Sequence, residues 1–142
     1  MVNVCPNPYV IGKSTLPMEI LSHITNKENI PRFENGIAVE IKTNPLSLLA
    51  LKKIILKPSI QLFDVVGNSI AYLRDNESIS EDIILTSDPT TSVFYFIWNA
   101  RNKFSRIIGS GKDLALVKIV DNTGRSFTKK IMIGLKLPEI KQ

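Results

Sequence analysis

Apolar and polar residues alternate with a period of two along much of the chain after Gly36. In residues 37–42, Ile37, Val39 and Ile41 share one face, a pattern that predicts a half-buried β-strand. Residues 93–98 and 114–120 are apolar on both faces except at Lys118, as is typical of strands inside a sheet. Four further segments have strand character: 52–56, 59–66, 69–73 and 127–133.

Turn residues separate these strands and indicate their pairing. Gly67-Asn68 predicts a hairpin over residues 59–73, and Asn122-Thr123-Gly124 predicts a second hairpin between the last two strands. Pro58 has no backbone N–H to donate, so we expect a break between the strands at 52–56 and 59–66. About seven strands without helical crossovers predict an all-β, two-sheet sandwich of the immunoglobulin or fibronectin-III type.

Helical periodicity is scarce. The pattern predicts one short helix near residues 16–25, where Pro17, Ile20, Leu21 and Ile24 recur, and a single helical turn at residues 46–51. Residues 1–35 therefore read as an irregular entry to the sandwich. The 142 residues suit one domain, 1–142.

Composition restricts the chemistry that the chain can perform. Twenty isoleucines favour strands, whereas one cysteine (Cys5) and one histidine (His23) leave little for a zinc site or a nucleophile–histidine relay. We therefore predict no enzyme activity, no catalytic residue, no metal and no cofactor.

No apolar run approaches the roughly 18–20 residues that span a bilayer, so we expect no membrane insertion. The N-terminus lacks a signal-peptide pattern, which predicts either a cytosolic protein or a piece of a longer secreted chain.

The net charge of +5 is unevenly distributed. Residues 1–58 carry +3, residues 59–100 carry −5 and residues 101–142 carry +7. Phe104 is the only aromatic residue among the cations Arg101, Lys103 and Arg106, and no nucleic-acid-binding module is recognisable. We therefore predict no nucleic-acid partner and interpret the basic end as a solvated sheet edge.

Several residues resemble parts of chemical sites, but for each of them a structural interpretation is the stronger one. Ser14 follows Gly12-Lys13, but the phosphate-binding loop requires an earlier glycine where Asn7 stands. Cys5 is expected to be a buried small residue, although a spare thiol or a pairing outside the chain stays open, and His23 is expected to have no chemical role. Four acidic residues have no calcium-loop spacing and predict a solvated loop: Asp75, Glu77, Glu81 and Asp82.

Several spaced motifs together resemble a known domain. Residues 96–102 (Phe-Ile-Trp-Asn-Ala-Arg-Asn), residues 106–111 ending in Gly-Ser-Gly, and the strand and hairpin at 114–124 follow one another in order. Upstream, residues 60–68 and the Asn7-Pro8-Tyr9 entry extend the likeness over nearly the whole chain. The pattern resembles the immunoglobulin-like domain of flagellar hook-capping proteins, which also occurs near the C-termini of large bacterial surface and secreted proteins. The chain departs from that pattern at three residues: Ala100, Ser105 and Asp113.

The resemblance implies structural roles for the motif residues. Phe96 and Trp98 would fill the space between the sheets, Asn99 and Asn102 would satisfy backbone groups in the following turn, and the glycines would permit chain reversal. A sugar-stacking role for Trp98 is the lesser alternative. The complete set of fold-motif residues is Trp98, Asn99, Asn102, Gly109, Gly111, Asp64, Gly67 and Gly124.

The C-terminal segment 126–136 is similar to the tail of sorting domains of the bacterial type IX secretion route. The resemblance implies a non-catalytic C-terminal module of a larger exported protein, located outside the cell or on its surface. Its partners would be the parent protein and a secretion or surface-assembly machinery. Two alternatives stay open: a flagellar hook-assembly component, and a carbohydrate-binding module with Tyr72, Tyr95 and Phe104 as the candidate polysaccharide platform.

Overall fold

The computed structural model describes residues 2–101 and 111–138. Its helices are α1 (Met18–Leu21), α2 (Ile30–Phe33) and α3 (Leu46–Leu51), with a 3-10 turn at Lys27–Asn29. No helix in these two ranges is both long and apolar enough to cross a bilayer. The strands are β1 (Val2–Cys5), β2 (Tyr9–Val10), β3 (Ile37–Lys42), β4 (Leu56–Phe63), β5 (Ser69–Leu73), β6 (Ile83–Asp88), β7 (Val93–Trp98), β8 (Gly111–Asp121) and β9 (Ser126–Lys136).

The strands form two sheets that pack face to face. One sheet has the order β1-β3-β7-β6 and the other the order β2-β9-β8-β4-β5. All pairs are antiparallel except β2 with β9, which run parallel. This strand order matches an immunoglobulin-type sandwich whose first strand is divided between the two sheets. The predicted all-β sandwich is confirmed, as are both hairpins and the central position of β7.

The main core lies between the two sheets and follows from the period-two pattern. Ile37, Val39 and Ile41 of β3 point inward together with Phe96 and Trp98 of β7. The facing sheet contributes further buried apolar residues, among them Leu62, Ala115, Val117 and Ile133. The alternation correctly predicted the inward face of β3, because successive side chains of a strand point to opposite faces of the sheet.

A second apolar cluster covers the outer face of the four-stranded sheet. The segment around α1 and α2 contributes Leu16, Ile20, Leu21, Ile24 and Phe33, which pack on outward residues of that sheet, including Ala38, Tyr95 and Ile97. The predicted short helix is confirmed at Met18–Leu21. The prediction of an irregular entry over residues 1–35 is corrected within residues 2–35, which supply two edge strands and the layer that covers one sheet face.

Two strand predictions differ from the structure. Residues 52–56 are not a strand, because α3 ends in a turn in which Lys53 has a φ of 57°, and β4 begins only at Leu56. Pro58 does not break β4: it pairs with Ile119 of β8, while β5 pairs with β4 only from Ile60 onwards. The missing N–H therefore falls where β4 has a single neighbour.

Strand β6 was not predicted, since its three apolar residues, Ile83, Ile84 and Leu85, are consecutive and do not alternate with polar ones, and residues 86–88 are polar. With β1 and β2, it brings the described strands to nine instead of about seven.

Candidate functional site

The end of β7 is organised around Trp98. The indole is 1% exposed, and its Nε1–H donates to the carbonyl oxygen of Arg101 at 2.6 Å. The Asn99 amide donates to the Asp82 carboxylate at 3.1 Å, and its oxygen accepts from the Arg101 N–H at 3.0 Å. Ala100 has a φ of 63°, so alanine occupies a left-handed position that glycine fills in the resembling family. The polar groups of Trp98 and Asn99 are thus engaged in hydrogen bonds within the turn and to Asp82 in the loop before β6.

The β4–β5 and β8–β9 hairpin turns use one acidic residue each in the same way. The Asp64 carboxylate accepts from the backbone N–H groups of Val66 at 3.1 Å and Asn68 at 2.8 Å. The Asp121 carboxylate accepts from the hydroxyl of Thr123 at 2.6 Å and from its N–H at 2.8 Å. These hydrogen bonds, led by the Asn68 N–H and the Thr123 hydroxyl respectively, hold the pKa of both carboxyls below the ordinary value.

The motif glycines within the described residues all have positive φ. Gly67 lies in the β4–β5 turn at 92°, Gly111 begins β8 at 131° and Gly124 lies in the β8–β9 turn at 89°. Asn102 and Gly109 lie outside the described residues. The structure therefore places six of the eight motif residues, at the ends of strands and in turns on both ends of the sandwich.

Two buried carboxyls have contrasting environments. Asp82 is 6% exposed, and its pKa is raised by burial despite the hydrogen bond from Asn99. Asp113 is 7% exposed on the core face of β8, and its Oδ2 has no hydrogen-bond partner in the described part of the chain. Burial, and next the charge of Asp64, raise the pKa of Asp113 to about 6. The sequence signal was an acidic residue in register with the apolar residues Ala115, Val117 and Ile119, which share its face of the strand.

The acidic loop before β6 does not gather into a metal-binding cluster. Its side chains have different partners, since Glu77 accepts from the backbone N–H of Arg74 and Asp82 pairs with Asn99. Within residues 2–101 and 111–138, no three His, Cys, Asp or Glu side chains lie together as potential ligands.

The remaining single candidates have local contacts. Ser14 accepts a hydrogen bond from the Val10 N–H at 2.8 Å in a tight turn. His23 lies 3.4 Å from the Asp88 carboxylate and stacks on Tyr95 with 5.8 Å between the ring centres. Cys5 is half-buried against the second apolar cluster, and burial, followed by the nearby Glu40, raises the pKa of its thiol.

The outer face of the five-stranded sheet has no covering layer among the described residues. It carries two shallow grooves of about 570 and 480 Å³, which meet at Leu116. Tyr72 lies in the first groove, is 44% exposed and has the Arg74 guanidinium 5.3 Å from its ring centre. Tyr95 points instead into the second apolar cluster and is 7% exposed, and Phe104 lies outside the described residues. Tyr72 and Tyr95 thus cannot form one platform.

Strand β9 leaves one side open over most of its length. It pairs with β8 from Ser126 to Leu135, whereas β2 pairs with it only at Leu135 and Lys136. Within the described chain, residues 126–132 thus have a strand neighbour on one side only, and we call this segment the free edge. All of its residues are exposed except the half-buried Ile131.

Comparisons with known proteins give little further information. No protein-family model matches the sequence, and no curated protein matches it. Several solved structures resemble the chain. One of them, CopC from Methylosinus trichosporium OB3b, has a TM-score of 0.42 at 9% identity, over 74% of this chain and 80% of CopC. PorZ, an essential bacterial surface component of the type-IX secretion system of Porphyromonas gingivalis, has a TM-score of 0.42 at 16% identity, over 94% of this chain and 11% of PorZ. The chain thus corresponds to only a small part of PorZ, and similarity at this level carries no argument about function.

Proposed function

We propose that the chain is a non-catalytic, immunoglobulin-like module of a larger exported bacterial protein, acting outside the cell in export or anchoring by docking through its free edge. The observation that carries the proposal is this edge of β9, where residues 126–132 pair with β8 alone among the described strands. An open strand edge presents backbone donors and acceptors to which an extended segment of a partner can add as a further strand.

The charge of the free edge favours a particular partner. Lys129 and Lys130 are both exposed in the middle of the segment. Like charges directly opposite one another disfavour pairing between two copies of the edge, whereas an acidic strand would form opposite-charge pairs. The free edge is therefore suited to pair with an extended, acidic strand of a secretion or surface-assembly component.

The use of polar residues in the turns supports a scaffold role for the rest of the domain. The carboxylates of Asp64 and Asp121 and the amide of Asn99 are engaged in hydrogen bonds that close strand connections. Such bonds stabilise a rigid module whose loops and edges present a surface.

A surface-delivery assay tests the proposal. Residues 1–142 are fused to the C-terminus of an exported reporter in a bacterium with a type IX route, and the reporter is measured by protease accessibility on intact cells. We expect surface delivery with the wild-type module and strong loss with Lys129→Glu/Lys130→Glu. Lys118→Glu is the matched control, because Lys118 is exposed on the same sheet but lies in the interior strand β8. Absence of delivery with the wild-type module, or equal loss with Lys118→Glu, would contradict the proposal.

The carbohydrate-binding alternative is weaker, because burial removes Tyr95 from any exposed platform with Tyr72. The flagellar hook alternative requires assembly of many copies into a cap. Light scattering at high protein concentration tests it, and a strictly monomeric protein would count against it.

A further inference from the structure

Helix α3 projects apolar side chains into solvent at one end of the sandwich. None of its residues is buried, Leu48 is 46% exposed and Leu51 is 83% exposed. Ile55, in the connection to β4, is 60% exposed. We call residues 46–56 the apolar tip. Large apolar side chains concentrated in this way at the end of a domain are typical of a contact surface.

The charged residues of the tip segment and of its flanks in the sequence are all basic. Between Glu40 and Asp64 the sequence contains no acidic residue and four lysines: Lys42, Lys52, Lys53 and Lys57. Lys52, Lys53 and Lys57 are exposed, and Arg125 lines a shallow cavity of about 350 Å³ beside the tip.

Two acidic residues lie in turns that contact this end, and both are engaged locally. Asp121 accepts hydrogen bonds from Thr123 in the β8–β9 turn. Asp88 accepts from the N–H of Thr90 and from the hydroxyl of Thr91 at the start of the β6–β7 turn. Asp121 lines the same shallow cavity as Arg125, whereas the tip segment itself contains cations and no acidic residue.

Hydrogen bonds to neighbouring turns hold the apolar tip in place. The Asn122 amide donates to the carbonyl of Lys53 at 2.9 Å, and its oxygen accepts from the N–H of Ile55 at 3.1 Å. The Ser92 hydroxyl accepts from the N–H of Leu46 at 3.0 Å. The exposed leucines thus belong to a segment anchored at both ends, which presents them in a fixed position.

We propose that the apolar tip is a peripheral attachment site for an anionic lipid membrane. Leu48, Leu51 and Ile55 would enter the boundary between headgroups and acyl chains, while the lysines contact phosphate groups. Exposed aliphatic side chains beside exposed lysines match the two layers of such an interface, and the absence of acidic residues over residues 41–63 complements anionic headgroups. The inference does not rest on the free edge of β9, although Phe127 of that edge lines the shallow cavity beside the tip.

Vesicle co-sedimentation with the full chain tests this inference. We expect binding to phosphatidylcholine vesicles containing about one third phosphatidylglycerol, much weaker binding to phosphatidylcholine alone, and loss of binding at high salt. Leu51→Asn/Ile55→Asn should lower the partition coefficient at least about tenfold, because it removes aliphatic area that the membrane would bury. Lys52→Gln/Lys53→Gln should lower it about thirtyfold at low salt, from about 1 kcal/mol for each lysine.

The β4–β5 turn offers a matched control. Val65 and Val66 are 82% and 78% exposed, and they lie at the opposite end of β4. Val65→Asn/Val66→Asn should bind vesicles as the wild type does, and tryptophan fluorescence verifies that every variant is folded.

Three outcomes would overturn the inference: no binding of the wild type to anionic vesicles, equal binding by the Leu51/Ile55 variant, or an equal loss in the Val65/Val66 variant. A dimer that the Leu51/Ile55 variant dissociates, without lipid binding, would assign the tip to a second copy of the chain instead.

Discussion

Asp113 makes the stability of the protein depend on pH in a direction opposite to that of most carboxyls. Its side chain lies on the core face of β8, aligned with Ala115 and Val117, and opposite Ile133 of β9 in the register. In the unfolded chain its carboxyl ionises near its ordinary pKa of 3.8, whereas burial raises the pKa in the folded chain to about 6. The folded protein therefore retains a proton on Asp113 that the unfolded chain has already released.

The size of the effect follows from this difference in pKa. Above both pKa values the ionised carboxylate is buried, and a shift from 3.8 to about 6 corresponds to about 3 kcal/mol. The protonated carboxyl makes its full contribution to the free energy of unfolding below about pH 4. This contribution declines as the pH rises to about 6 and is absent above that. The variant Asp113→Asn cannot ionise, so it should gain about 3 kcal/mol relative to wild type on going from about pH 4 to about pH 7.5.

Urea unfolding followed by tryptophan fluorescence measures this gain, because Trp98 is the single tryptophan and is 1% exposed. Wild type and Asp113→Asn are compared at about pH 4, 6 and 7.5, with the exposed Asp75→Asn as the control for changes in net charge. If the difference in free energy of unfolding between wild type and Asp113→Asn were the same at all three pH values, the argument from burial would be refuted.

Two further predictions concern close packing and the support of the apolar tip. Gly36→Ala should destabilise the fold by more than about 2 kcal/mol, because an added Cβ would lie 2.2 Å from the carbonyl oxygen of Trp98. Gly12→Ala, whose Cβ meets nothing within 4 Å at a φ of 76°, should cost only about 1 kcal/mol in the same urea titration; a similar loss in both would contradict the packing argument. Asn122→Ala should cost about 1–2 kcal/mol by removing the donor to the Lys53 carbonyl and the neighbouring acceptor. Unfolding measurements test this loss, and Asn122→Asp should recover part of it, because only the acceptor is retained.

Local periodicity was sufficient to predict the sandwich and its main core. The alternation through β3 identified the inward residues Ile37, Val39 and Ile41, since side-chain direction along a strand depends only on the parity of the position. The inward direction of Phe96 and Trp98 in β7 was implied by the resemblance instead. Turn residues such as Gly67 and Gly124 identified both hairpins, because positive φ is a local property of the backbone. These features need no knowledge of which strands become neighbours.

Features that depend on distant neighbours could not be derived from the sequence. Pro58 belongs to a strand because β5 happens not to reach it, and Ala38 is buried because the α1–α2 segment returns to cover its face of the sheet. Neither relation is visible in a window of adjacent residues.

The candidate interaction surfaces divide in the same way. The sequence alone identifies the lysines of residues 126–132, the absence of acidic residues at 41–63 and a helical turn at 46–51. Whether a strand edge lies open or an apolar helix faces water is decided only by which segments pack beside it. The sequence by itself thus determined the strand pattern, the turns and the distribution of charge. Tertiary structure decided what is left uncovered, because burial and strand pairing are properties of segments far apart along the chain.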